Sequence, residues 1–168
     1  MLVSTHTRSG IGQFYGYGPD NKLSTIADAG GRTLTIKWSG EAVVSIIGPT
    51  GTASYGYERS KSDDSTEIVG TERLKTVDFS IAGEPPFATK SYHYEAPENR
   101  HFLTGITDEN GIRFAKYEYN ANGQAVLSEH AGGTRRYTFA YPARDKRIIT
   151  DPLGTQREFN LTYNYGSV

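Results

Sequence analysis

The chain contains no cysteine. That excludes disulfides, thiolate metal sites, redox dithiols and cysteine nucleophiles. Long apolar runs are also missing: the longest, Ala42 to Ile47, is interrupted by Ser45 and is far too short to cross a bilayer as a helix. Net charge is small. Eighteen Lys and Arg stand against nineteen Asp and Glu in 168 residues, a balance of −1. The summed positive field of a dedicated nucleic-acid binder is therefore lacking. No window free of Gly and Pro keeps helical periodicity over ten residues. The segment Met1-Leu2-Val3-Ser4-Thr5-His6 has no apolar h-region of a secretory signal. The expectation is a chain that is cytoplasmic as synthesised and does not insert in membranes.

Catalytic signatures are equally scarce. The sequence has no His-Glu-x-x-His, no Gly-x-Ser-x-Gly and no phosphate-binding glycine loop before a helix. Its four histidines, His6, His93, His101 and His130, have no compact metal-ligand spacing. Glu95 lies between His93 and His101 and would join them only through a fortuitous turn. The expectation is no enzyme, no cofactor and no metal.

What the chain has is glycine, at 19 residues, and tyrosine, at 12. Gly-punctuated sequence rich in Tyr, Thr, Val and Ile reads as short strands joined by tight turns. A mean hydropathy of −0.57 suits a half-buried sheet better than a thick sandwich. The fold class predicted is all-β.

All twelve tyrosines come in pairs: Tyr15/Tyr17, Tyr55/Tyr57, Tyr92/Tyr94, Tyr117/Tyr119, Tyr137/Tyr141 and Tyr163/Tyr165. Separations of two or four place both members on one face of a strand. Leu34, Ile36 and Trp38 form a seventh stripe of the same shape. The markers Tyr17, Trp38, Tyr57, Tyr94, Tyr119, Tyr141 and Tyr163 are spaced by 21, 19, 37, 25, 22 and 22 residues. A repeat of about 21 residues follows, with the step of 37 close to a doubled one.

Between the stripes runs a second motif, apolar-x-Asp-x-x-Gly, centred on Asp28 to Gly31, Asp108 to Gly111 and Asp151 to Gly154. Variants end at Gly51 and Gly132. Asp opens type I turns, Pro favours their second position, and Gly supplies a left-handed residue. Each repeat is then strand, Asp-x-x-Gly turn, aromatic strand and a second turn. Gly18 to Asn21, Asn120 to Gly123 and Pro142 to Asp145 supply second turns. The predicted architecture is a curved antiparallel sheet of tandem β-hairpins, a single array over 1–168, broken by a polar insertion at about 58–73.

The spacing carries one constraint on geometry. Counted from the turn glycine, aromatics fall at even offsets after Gly51 and Gly111 and at odd offsets after Gly31, Gly132 and Gly154. A slip of one residue sends side chains to the opposite face. The two classes must differ by one loop residue or by a bulge.

Two readings compete at the recurring residues. Asp28, Asp108 and Asp151 are turn acceptors or, in a sharper reading, calcium ligands between adjacent turns; the local role is preferred. The tyrosines form either a cross-strand aromatic ladder or a stacking face for carbohydrate or a protein partner. Recurrence in every repeat favours the ladder, made of Tyr17, Trp38, Tyr57, Tyr94, Tyr117, Tyr119, Tyr141 and Tyr163. Open sheet edges predict self-association.

The run Tyr117-Glu118-Tyr119-Asn120-Ala121-Asn122-Gly123-Gln124-Ala125-Val126 resembles the YD repeat of the bacterial rearrangement-hotspot (Rhs) family. So do Leu103 to Gly111 and the Ile149-to-Tyr163 segment. Departures are visible: Asn120, Asn164 and Gly18 replace the aspartate that names the repeat, and Gln124 stands where an arginine is usual. The resemblance implies a section of a hollow β-shell whose partners are neighbouring repeats and an enclosed toxin domain, exported in many members by type VI secretion. In that family a distinct core region ends the array, plugs the shell and in many members releases the toxin by aspartate-based self-cleavage; this chain resembles a section of wall without that core or the toxin. Asp151-Pro152-Leu153-Gly154 looks like the start of such a motif, but is one more copy of the local turn.

Overall fold

A computed structural model describes residues 3–8, 10–58, 73–97 and 99–162. Fourteen strands follow one another: β1 Ser4–His6, β2 Gly12–Tyr17, β3 Leu23–Asp28, β4 Thr33–Ser39, β5 Ala42–Ile47, β6 Thr52–Glu58, β7 Arg73–Ser80, β8 Ala88–His93, β9 Gly105–Thr107, β10 Arg113–Tyr119, β11 Ala125–His130, β12 Tyr137–Ala143, β13 Lys146–Thr150 and β14 Gln156–Asn160. They form one open antiparallel sheet in which spatial order is chain order. One 3-10 turn, Ala131–Gly133, is the only helical element among the described residues. The all-β hairpin architecture read from the sequence is the architecture found.

The chain divides into two compact units, Met1–Ser91 and Tyr92–Val168, with the boundary inside β8. Both use the same hairpin unit. The polar stretch predicted at 58–73 starts and ends in paired strands, since Glu58 of β6 faces Arg73 of β7 and their side chains meet at 2.6 Å. Residues 59–72 lie outside the described residues.

Strand pairing sorts side chains onto two faces. In the first unit, Ile36, Ile46, Ala53, Phe79 and Ala88 stand opposite one another across five strands. One residue away, on the other face, the row reads Thr25, Thr35, Ile47, Thr52 and Ser80. In neither unit does a second layer cover the sheet among the described residues. Burial is correspondingly shallow, and among the described residues the apolar side chains most fully shielded from solvent are Val77, Ala115 and Leu127. Stability must come from many half-buried cross-strand contacts and paired backbone groups, with little from a deep core.

The aspartate turns are nearly superposable in their hydrogen bonding. Asp28 Oδ1 accepts from the backbone N–H of Gly30 and Arg32 at 2.9 and 3.0 Å. Asp108 does the same for Asn110 and Ile112 at 2.9 and 3.0 Å, and Asp151 for Leu153 and Thr155 at 2.9 Å each. In each, the glycine N–H donates to the aspartate carbonyl at 3.0 Å, and Gly31, Gly111 and Gly154 hold φ of 81, 76 and 82°. That left-handed conformation strains any residue with a Cβ.

Identical loops leave the bulge as the answer to the offset parity. In β10, Arg113 pairs with Thr107 and Ala115 with Ile106, so Phe114 is an extra, unpaired residue. The β3–β4 and β13–β14 pairings have no such interruption. Removing Phe114 from the count brings Tyr119 to the odd offset of Trp38. The Gly51 turn differs in its loop, being tighter, with the Gly48 N–H donating to the Gly51 carbonyl at 2.8 Å. Gly51 is not left-handed; instead its Cα faces the backbone of β7, where a Cβ would lie 2.7 Å from the Ser80 carbonyl oxygen. At Gly132 the turn is shifted by one residue. His130 takes the position of the aspartate, its N–H donating to the Thr134 carbonyl at 2.8 Å. Gly132 and Gly133 are both left-handed there, at φ 71 and 73°.

Candidate functional site

The recurring feature of this molecule is an aromatic anchor towards the end of four strands, β4, β6, β10 and β12. Trp38 Nε1 donates to the Leu23 carbonyl at 2.8 Å. Tyr57 Oη donates to the Val43 carbonyl at 2.8 Å, Tyr119 to Leu103 at 2.9 Å and Tyr141 to Ala125 at 2.7 Å. Three of the four acceptors are the residues that pair with the preceding anchor. Leu23 faces Tyr17, Val43 faces Trp38 and Ala125 faces Tyr119. Within each unit the anchors thus tie one hairpin to the next.

The register explains why a carbonyl is available there. Opposite Tyr17, Trp38, Tyr57 and Tyr119 the partner strand skips one residue: Ser24, Val44, Lys75 and Val126 respectively. A bulge breaks the ladder locally and turns a backbone group out of its normal pairing. A long, rigid side chain with a donor at its tip is the natural partner, which Tyr and Trp provide and Phe does not. The Tyr119 phenol is held above its usual 10.0, first by burial and then by neighbouring Tyr117. It therefore remains a donor at neutral pH. Its ring also packs on Phe102, centroids 4.6 Å apart.

The remaining predicted positions take different places. Tyr117 shares the face of Tyr119 and stands opposite Ser128, itself opposite Tyr137. Tyr94 lies just past the end of β8. Tyr163 is outside the described residues. Sequence reasoning missed that Asn120 builds the aspartate turn in full. Its Oδ1 accepts from the N–H groups of Asn122 and Gln124 at 3.0 Å each, and Gly123 closes it at φ 75°. The signal was present as Asn-x-x-Gly, since an amide oxygen accepts as a carboxylate does.

A second polar cluster sits in the second unit, around the connection from β8 to β9. Arg113 grips Glu95 bidentately at 3.1 and 2.8 Å and also donates to the Thr104 carbonyl at 3.1 Å. Buried Thr104 donates through Oγ1 to the His93 carbonyl at 3.1 Å and accepts from the Glu95 N–H at 3.0 Å. His93 Nε2 meets Thr107 Oγ1 at 2.7 Å. The hydrogen bonds and charge of Arg113 hold the Glu95 carboxyl below its ordinary value, against the opposing effect of burial. His101 is not in this cluster; its N–H donates to Asn99 Oδ1. These bonds tie Glu95 and Thr104, towards either end of the β8–β9 connection, to His93 and Arg113. A groove of about 340 Å³ runs beside it, lined by Glu95, Pro97, Arg113, Tyr117 and Tyr119 among others.

Among the described residues, no three His, Asp or Glu side chains come together as metal ligands. Asp28, Asp108 and Asp151 each act within their own turn. The described residues give no positive sign of catalysis.

No model of a known protein family matches the chain. A curated protein, the probable deoxyribonuclease RhsB of Dickeya dadantii (strain 3937), is 28% identical over 144 residues, 85% of this chain. The chain is similar to part of an Rhs protein. It spans only 9% of that relative's length, so the nuclease named there belongs to a protein many times longer.

Proposed function

We propose that this chain is a non-enzymatic structural module, a section of the repeat wall of an Rhs-type β-shell that encloses an effector domain. The observation that carries this reading is the anchor system. Trp38, Tyr57 and Tyr141 each bond a carbonyl beside the bulge of the strand before them, a pattern suited to stacking hairpin on hairpin. Likeness to Rhs over most of the chain agrees with that. In this reading the partners are further hairpins at both sheet edges and an enclosed cargo, and the chain travels with a parent effector from the cytoplasm through a specialised secretion system. The alternative, a Tyr-rich face that binds carbohydrate, has weaker support. The hydroxyls of Tyr57, Tyr119 and Tyr141 already donate to the protein's own backbone, which leaves fewer of them for a glycan.

The test is co-expression with flanking repeat segments of an Rhs protein, followed by amide hydrogen exchange. Slowed exchange in β1 and β14, the outermost described strands, is expected when their edges are paired by neighbours. Unchanged exchange at both edges would overturn the reading. So would cleavage of DNA by the chain alone that a single Asp or His substitution abolishes.

A further inference from the structure

The whole-chain charge balance conceals a local sorting in the second unit. Between Gly132 and Thr162 six basic residues face three acidic ones. Strand register divides the charged residues of β12 to β14 between the faces. Lys146 and Glu158 lie on one face and neutralise each other at 2.8 Å. The opposite face carries Arg147 and Arg157 and, within these strands, no carboxylate.

That face is also aromatic. Phe139, Ile149 and Arg157 form one cross-strand row, and Arg147 with Phe159 forms the next. Tyr137 precedes Phe139 by two residues on the same face, and Tyr141 follows it there, its ring 5.0 Å from the Arg147 guanidinium. Tyr137 and Phe159 are 40% and 45% exposed, two strands and about two rows apart, a diagonal of roughly 16 Å. Exposed Arg157 has no ion-pair partner among the described residues.

We infer that the aromatic face of β12–β14 binds single-stranded nucleic acid. Flat rings at the spacing of a few nucleotides give bases a stacking platform, and the exposed Arg157 guanidinium beside them meets phosphate, while Arg147, whose Nη1 donates to the Ala143 and Lys146 carbonyls, adds charge next to the Tyr141 ring. Charge complementarity selects this occupant over a neutral glycan. Sugar hydroxyls need carboxylates or amides beside the ring, and the strand residues of this face supply neither. The inference goes beyond the wall reading and does not depend on it.

The test is fluorescence anisotropy of a labelled short oligothymidylate with the full chain, at low and at physiological salt. Binding that weakens with salt is expected, each phosphate contact adding about 0.7 to the log–log slope. Arg157→Ala and Phe159→Ala should each weaken it about fivefold or more, while Lys146→Ala, on the other face, should change it less than about twofold. Circular dichroism melts establish that each variant is folded. No binding at low salt would overturn the proposal. A loss in Lys146→Ala equal to that in Arg157→Ala would also overturn it, as would unchanged affinity in folded Phe159→Ala, which would mean charge alone.

Discussion

The β3–β4 and β9–β10 hairpins share a turn down to the individual hydrogen bond, yet differ by one residue in the strand that follows. From Asp28 to Trp38 is ten residues, and from Asp108 to Tyr119 eleven. The second hairpin absorbs the extra residue as the Phe114 bulge. Both aromatics end in the same role, opposite a bulged partner strand and donating to a backbone carbonyl at the start of the strand before them, Leu23 opening β3 and Leu103 just ahead of β9. The comparison teaches that the anchor is the fixed point of the repeat. Strand length between turn and anchor varies, and a bulge restores the face.

The sharpest way to break this comparison is to remove one residue from each hairpin. Deleting Phe114 takes out a residue unpaired in the β9–β10 ladder, whose ring packs on His130 with centroids 4.5 Å apart, and should cost only about 1 kcal/mol. Deleting Thr35 from the unbulged β4 must send Trp38 to the opposite face or tear the β4–β5 register. That loss of packing and hydrogen bonding is expected to exceed about 3 kcal/mol. Urea unfolding of the two deletants decides the matter; equal costs would mean that the anchor position is not what the bulge preserves.

Glycines sharpen it next, because Gly111 and Gly51 are glycine for different reasons. Gly111→Ala forces a Cβ into left-handed backbone, at about 1–2 kcal/mol, and Gly111→Asn should recover part of that. Gly51 has ordinary φ but no room against the Ser80 carbonyl. Gly51→Ala is expected to cost about 1–3 kcal/mol, and Gly51→Asn no less. Recovery by Asn at both positions in thermal melts would show that conformation alone governs both.

These contrasts mark where the sequence is legible. The turns announce themselves because Asp, Asn, Pro and Gly carry their backbone preferences as side-chain identity. The stripes are visible because tyrosine recurs at even spacing. The parity argument required either one more loop residue or a bulge, without deciding between them or placing the bulge at Phe114. What the anchors bind could not be read. The acceptors at Leu23, Val43, Leu103 and Ala125 are backbone carbonyls, and the bulges beside three of them are choices of pairing to which Ser24, Val44 and Val126 give no common chemical signature. The shift at Gly132 has a similar source, since two adjacent glycines leave the register of the turn open. The Arg113–Glu95 contact joins residues eighteen apart across an irregular connection, beyond any local pattern.

The anchors themselves should be separable into ring and hydroxyl. Tyr57→Phe, Tyr119→Phe and Tyr141→Phe each keep the ring and strand one carbonyl. About 1 kcal/mol apiece is expected, the usual net value of such a bond, and similar across the three. A loss confined to one of the three would show that the hydroxyl bond does not carry a shared role and leave the repeat reading without its basis.

The smallest expected effect is acid sensitivity, and it distinguishes the two units. Asp28 in the first and Glu95 in the second are both held below their ordinary values of 3.8 and 4.5, chiefly by hydrogen bonds from Arg32 and Arg113. A depressed folded-state pKa means the folded chain binds fewer protons than the unfolded one. Its stabilisation is therefore complete above the ordinary value and lost as pH falls through the lowered one. Both contributions should fade below about pH 4. The Arg32–Asp28 pair lies open to solvent and should be weakened by salt. The bidentate Arg113 fork is also tied to the Thr104 carbonyl, so its share should outlast added salt. Acid titration of Glu95→Gln and Asp28→Asn beside the parent chain separates them. If added salt erases the Glu95 difference as fully as the Asp28 difference, the Arg113 cluster is only a surface ion pair, and Glu95 and Thr104 owe their placement to the Thr104 bonds with His93 and the Glu95 N–H.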